Sequence, residues 1–340
     1  MTYLTTLDLP VIWAALIAVA VLLYVVLDGF DLGVGILFAV ERDDEHRDVM
    51  VNTVAPVWDG NETWLILGGG GLFAVFPLAY AIIMPALYPA IFGMLLALVF
   101  RGVAFEFRFR AHTRPARRAW DVAFLVGSTV AALCQGLTLG GLLQGVKVTD
   151  RAYSGGWFDW LTGFTVLCGI AVVVGYALLG ACWLIWRTEG ELQYRARKHA
   201  RALGVATLAL IGVVSLWTPM LDPVFATRWF GWPGILLTSP VPILLALLAW
   251  SFWAGLSRRS DIQPFLSVLG WFVLCFAGLG ISLWPMMVPP SVSIWQAAAP
   301  PESQAFLLVG TIVLLPIILG YTGYAYWIFR GKVKPGAHYH

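Results

Sequence analysis

The 340-residue chain is 60% hydrophobic and only 12% charged, with a formal net charge of +2. Soluble domains carry about a quarter charged residues, so this balance excludes an ordinary soluble fold and points to a membrane. So small a net charge, with no basic run interleaved with stacking aromatics, excludes a nucleic-acid partner.

The first apolar run carries Asp8 and Pro10, lacks a basic leader and has no small-residue cleavage site. It reads as a retained span and not as a signal peptide. Several runs exceed the roughly 20 residues that a helix needs to cross a bilayer. Hydropathy and turn signals predict nine spans, near 10–40, 49–75, 78–108, 120–145, 158–187, 201–221, 233–256, 264–288 and 304–330. Short alternating strands of a transmembrane barrel are not the pattern here. The links are too short to hold a soluble domain, so residues 1–340 are expected to form one all-helical polytopic domain. Cys134, Cys168, Cys182 and Cys275 fall inside apolar runs at wide spacing and read as buried thiols.

Orientation follows from the basic residues. Alternate loops, beginning with 41–48, hold Arg42, Arg47, Arg108, Arg110, Arg114, Arg117, Arg118, Arg187, Arg195, Arg197, Lys198 and Arg201. The same set continues with Arg258, Arg259, Arg330, Lys332 and Lys334, which makes 17 of the 21 Lys and Arg residues. The opposite loops hold only Lys147, Arg151 and Arg228. The positive-inside rule therefore predicts an outer N-terminus and an inner C-terminus.

Acids lie within the spans. At ~1.5 Å per residue, Asp28 and Asp31 of DGFDLGVG sit about 15 and 10 Å from the inner end of the first span. On the same scale Asp59 and Glu62 of VWDGNETW lie roughly 15 and 20 Å deep in the second. Arg101 of LVFRGVAFEFR is about 10 Å from the inner boundary of the third, with Glu106 near that boundary. Asp28 and Asp31 are three residues apart, as are Asp59 and Glu62, so each pair shares a helix face. Gly29 and Gly33 form a small-residue pair on roughly the opposite face, where a neighbour can pack closely, and Gly68–Gly71 do likewise. Pro77 nearly alone links the second and third spans, which predicts an antiparallel hairpin that brings Arg101 toward Asp59.

A charge at mid-bilayer costs roughly 2.5–3.5 kcal/mol even on lenient scales. One arginine cannot neutralise four carboxylates. Either some carry protons at neutral pH, or they line a hydrated cavity, and both options suit proton passage. A single structural ion pair is the plainer alternative. The five histidines, His46, His112, His199, His338 and His340, all fall in inner loops or the tail. This chain is therefore expected to bind no haem through intramembrane imidazole and to hold no metal. No catalytic motif occurs, and GGGG (68–71) within a helical run reads as packing.

The segments DGFDLGVGIL (28–37), APVWDGNETWLI (55–66), LVFRGVAFEFR (98–108), LLQGV (142–146), LWPMMVPPS (283–291) and LPIILGYTGYAYW (315–327) resemble subunit II of the cytochrome bd-type quinol oxidases, in order along nearly the whole chain. The compact length and short loops are similar to the cyanide-insensitive branch. The resemblance implies a bundle related to that of a partner, subunit I. That partner would bear two haems b, one haem d and the quinol site, and would reduce O2 to water in the bacterial cytoplasmic membrane. It also implies no catalytic residue and no cofactor in this chain. Asp59 and Asp31 would lie on a proton-supply route with Asp28 as a further feeder, Arg101 would tune them, and Trp64, with Trp58 nearby, would lie at an O2 route or interface. Glu62 departs from the pattern, standing where other members carry a neutral residue. A small single-span accessory subunit, and quinone or lipid bound in this subunit, vary within the family. A proton-coupled transporter and a purely structural shielding subunit stay open as rivals, although spans six to nine show no deep carboxylate to match an inverted repeat.

Overall fold

The computed structural model describes residues 8–333, so Lys334, His338 and His340 lie outside the described residues. Helix α1 (Leu9–Leu37) begins where the Asp8 carboxylate accepts the Val11 N–H at 3.3 Å, with Pro10 in the first turn. There follow α2 (Asp44–Val54), α3 (Trp58–Val75), α4 (Pro77–Ala86), α5 (Tyr88–Arg110) and α6 (Arg114–Gln144). A two-stranded hairpin, β1 (Val148–Thr149) and β2 (Ala152–Tyr153), leads to α7 (Gly163–Arg187), which starts on a Thr162 capping box. The chain continues through α8 (Gly190–Leu221), α9 (Pro223–Phe230), α10 (Gly234–Thr238), α11 (Pro240–Ser257) and α12 (Gln263–Leu283). A second hairpin, β3 (Met286–Val288) and β4 (Val292–Ser293), and the short α13 (Ile294–Ala297) precede α14 (Pro301–Ile328).

Eight helical spans among the described residues are long and apolar enough to cross a membrane. The bent pair α3–α4 makes up to nine. This agrees with the expected all-helical membrane fold, with local corrections that prolines explain. The span expected at 49–75 is two helices, because Pro56 has no N–H for the carbonyl four residues back and α2 stops at Val54. The link at Pro77 is not a simple hairpin. Phe76, before the proline, leaves helical geometry, and α3 and α4 meet at 119°. The span expected at 78–108 is divided again at Leu87, two residues ahead of Pro89. The end of the span expected at 264–288 is not helical, because residues 286–288 pair with 292–293.

Helix α1 is the hub, packed against α3, α6 and α7. Gly33 lies against the backbone of α7, where an added Cβ would come within 2.8 Å of the Gly180 nitrogen. Gly180 is the reciprocal small residue, and at Gly29 a Cβ would meet the Tyr176 ring at 2.8 Å. The expected small-residue contact on α1 is therefore with α7. Gly68 and Gly71 face Val21 and Ile17 of α1, while Gly69 and Gly70 stand open.

One end of the bundle, where α1 finishes, gathers basic side chains into a network. Arg108 donates from Nε to Asp121 at 2.5 Å and from Nη1 to Asp48 at 2.6 Å. Arg47 reaches Asp121 at 2.9 Å, Arg117 pairs with Asp48, and Arg195 crosses from α8 to Glu41 at 3.2 Å. Asp121 and Arg108 are buried. Replacing Asp121 with Ala leaves Arg108 short of a partner in a dry site, so Asp121→Ala should destabilise the bundle by about 3 kcal/mol. The check is the thermal midpoint of the purified protein. Arg110→Ala, on an exposed pair with Glu106, should leave it nearly unchanged.

Candidate functional site

The acids of α1 and α3 meet the arginine of α5 near the basic end. Asp28 and Asp31 lie one turn apart on α1, and Arg101 reaches them from α5. All three are 0% exposed. The guanidinium donates from Nη2 to Asp28 Oδ1 at 2.8 Å and from Nη1 to Glu62 Oε2 at 3.2 Å. Its Nη2 lies 3.7 Å from Asp31 Oδ2. Glu62 is partly open, with its side chain 27% exposed. Behind the guanidinium stand the Trp58 and Phe105 rings, 5.5 and 5.2 Å from its carbon and stacked on one another at 4.9 Å. The aromatic faces supply a cation–π contact and exclude water from that side.

Three carboxyls thus share one guanidinium. Asp28 Oδ2 and Asp31 Oδ1 are buried without a hydrogen bond among the described residues. A site meant only to close one ion pair needs one carboxylate with its acceptors filled. This site holds more acid than one positive charge balances.

Of the residues singled out in the sequence, Asp28, Asp31, Glu62 and Arg101 come together. Asp59 does not join them. Its side chain is exposed, with no ion pair or hydrogen bond among the described residues, one helical turn from Glu62. The expected approach of Arg101 to Asp59 is replaced by its pairing with Asp28 and Glu62. The break at 55–57 also puts Asp59 in the first turn of α3, so its depth cannot be counted along one continuous helix from residue 49. Trp58 lies against Arg101. Trp64 lies elsewhere, buried beside Ala20 and Tyr24, and its Nε1 has no hydrogen bond among the described residues. It borders an apolar crevice between α1, α3 and α14 lined also by Trp13, Ile17, Leu67 and Leu315.

Several partners of the cluster escaped the sequence reading. Asn61 donates from Nδ2 to Asp31 Oδ2 at 2.7 Å and to the Leu27 carbonyl at 3.3 Å, and its Oδ1 accepts from the Tyr326 hydroxyl at 2.8 Å. On the Asp28 side, Tyr176 donates to Gln135 at 2.6 Å, and Gln135 donates to the Tyr24 hydroxyl at 2.7 Å. Tyr24 stands four residues before Asp28, and Asn61 stands inside WDGNETW, so uncharged hydrogen-bonding residues in apolar spans were the available signal.

Among the described residues no histidine stands inside the apolar part of a span. His46 and His112 lie at the basic end outside the apolar spans, and His199 lies in the first turns of α8. Among the described residues no group of three His, Cys, Asp or Glu could hold a metal ion.

Comparison with known proteins shows the family of the chain. Residues 9–329 match the family described as cytochrome bd terminal oxidase subunit II. The cytochrome bd-I ubiquinol oxidase subunit 2 of Escherichia coli (strain K12) is 32% identical over 363 residues, covering 95% of this chain and 94% of the relative. The cytochrome bd ubiquinol oxidase subunit 2 of Bacillus subtilis (strain 168) is 29% identical over 343 residues, covering 95% and 96%. A chain in the structure of bd oxidase from Geobacillus thermodenitrificans superposes with a TM-score of 0.76 at 17% identity, over 95% of this chain and 99% of that one. With the family match spanning the bundle from α1 to the end of α14, this chain belongs to the cytochrome bd terminal oxidase subunit II family.

Proposed function

We propose that the chain is the haem-free second subunit of a bd-type quinol oxidase in a bacterial cytoplasmic membrane. It forms a single polytopic domain with its N-terminus outside and its basic end in the cytoplasm. It stabilises a haem-bearing subunit I and supplies protons to it. The partner's two haems b and haem d carry the electrons from quinol to O2. Quinol oxidation releases protons outside and water formation consumes cytoplasmic protons, so charge separates without a pump.

The single observation that carries this reading is the grouping of Asp28, Asp31 and Glu62 on one fully buried arginine. Arg101 balances one charge, and the remaining acid is stable in a dry bundle when it holds protons. Glu62, partly open, is one end of the cluster. Asp59, a turn away on the exposed face of α3, is where a proton would leave for the partner. That face also carries Thr63 and the open Gly69 and Gly70. A carboxylate exposed on a membrane helix is unfavourable against lipid, which favours a partner protein there. The apolar crevice beside Trp64 supports a separate approach for O2.

Asp59→Asn in the assembled complex tests the relay. With haem spectra intact, quinol-supported oxygen uptake should fall by roughly tenfold or more. Wild-type turnover with intact haems refutes the relay. Loss of the haem spectrum assigns Asp59 to assembly instead.

A further inference from the structure

Asn61 makes three of the four hydrogen bonds its amide offers. Its two Nδ2 hydrogens go to the Leu27 carbonyl and to Asp31 Oδ2, and its Oδ1 takes the Tyr326 hydroxyl hydrogen. The two ends of this amide are not equivalent. Turned over, it would offer Oδ1 to Asp31, which only a protonated carboxyl could satisfy, and it would set Oδ1 against the Leu27 carbonyl, acceptor against acceptor. Tyr326 and Leu27 together therefore hold the amide hydrogens on Asp31. The Tyr326 ring is fixed independently of its hydroxyl, edge-on to Phe30 at 6.5 Å and to Trp183 at 6.4 Å. Tyr326 is half-buried in the last turn of α14, at the basic end, and is the member of this string nearest that helix terminus.

We propose that Tyr326 is a positioning residue for proton loading: its hydroxyl orients Asn61, and Asn61 sets how readily Asp31 takes up and gives up a proton. The proposal rests on the proton-supply reading above. It makes α14, a helix with little else buried, part of the route's cytoplasmic inlet.

The groups that bear on Asp31 come from several elements. Asp28 faces it from its own helix, Asn61 and Glu62 from α3, Arg101 from α5 and Tyr326 from α14. From α7, the Arg187 guanidinium faces Tyr326 and stacks on Trp183 at 5.1 Å. Helices α6 and α7 bring the neutral Gln135 and Tyr176 to the Asp28 side. In Tyr326→Phe all of these stay in place. The one change is the loss of the hydrogen that Asn61 Oδ1 accepts, which leaves the Leu27 carbonyl alone to hold the amide toward Asp31 and so loosens that donor to the ionised carboxylate.

The test compares oxygen uptake against pH for the purified complex in wild type, Tyr326→Phe, Asn61→Ala, the double variant and Asp31→Asn, with haem spectra as the measure of assembly. The limb of the profile that Asp31→Asn removes should move to higher pH by about 0.5–1 unit in Tyr326→Phe, the worth of one hydrogen bond. The double variant should match Asn61→Ala alone, because Tyr326 acts through Asn61. If Asn61→Ala fails to assemble, the Tyr326→Phe profile decides by itself. A Tyr326→Phe profile that overlies wild type, while Asp31→Asn still removes the limb, overturns this proposal and leaves the proton-supply reading standing. A wild-type profile in Asp31→Asn overturns both.

Discussion

Arg101→Leu should abolish the assembled, haem-bearing complex or lower its stability by about 3–5 kcal/mol, the cost of removing one partner from a buried ion pair. The size follows from the site. Arg101 is the one cation among Asp28, Asp31 and Glu62, and the Trp58 and Phe105 rings close its other side to water. Arg101→Lys keeps the charge but loses the fork that reaches Asp28 from Nη2 and Glu62 from Nη1, so it should fall between the two. Combining Arg101→Leu with Asp28→Asn should recover part of the loss, since the two are coupled through one contact. Yield of haem-bearing complex and its thermal midpoint measure all three. Equal midpoints for Arg101→Leu and wild type would contradict a charge-balanced cluster.

Gly33→Leu should be comparably severe, about 3 kcal/mol or more, for a different reason. At Gly33 the backbones of α1 and α7 approach so closely that a first side-chain carbon already meets the backbone of Tyr176 and Gly180. A backbone cannot step aside as a flexible side chain can. The helices must separate, and because Asp28 and Asp31 ride on α1, the separation pulls them off Arg101. Gly212→Leu, on α8 where an added carbon meets nothing within 4 Å, is the matched control and should melt like wild type. A shared loss in both variants would mean that leucine at any helical glycine is harmful, with no special role for the α1–α7 contact.

Much of this was legible in the sequence. Long apolar runs announced the spans, and the small-residue spacing at Gly29 and Gly33 announced a close helix contact, though not that α7 supplies it. Acids and an arginine inside apolar segments are conspicuous because each is costly there, so Asp28, Asp31, Glu62 and Arg101 could be picked out directly. What stayed hidden depends on helix breaks and three-dimensional neighbours. Pro56 and Pro77 each remove a backbone donor and so mark a break, but the 119° between α3 and α4 is not written in the sequence. Asp59 and Glu62 share the unbroken helix α3, yet Glu62 faces Arg101 while Asp59 turns to the exposed side, and which side α3 presents is set by its three-dimensional neighbours. Asn61 and Tyr326 are uncharged and carry no such cost signal, and they are 265 residues apart in sequence. The Arg108–Asp121–Arg47 network was visible only as a count of basic residues at one end.

The central claim is that this acid cluster delivers protons to the oxygen chemistry of a partner. It is tested most directly by time-resolved proton uptake after an oxygen pulse, with the complex oriented in vesicles and a pH dye on the side of the basic end. Asp31→Asn with intact haem spectra should slow proton uptake by about tenfold or more while leaving electron delivery to the haems unchanged. Wild-type proton uptake from that side in Asp31→Asn would contradict the account.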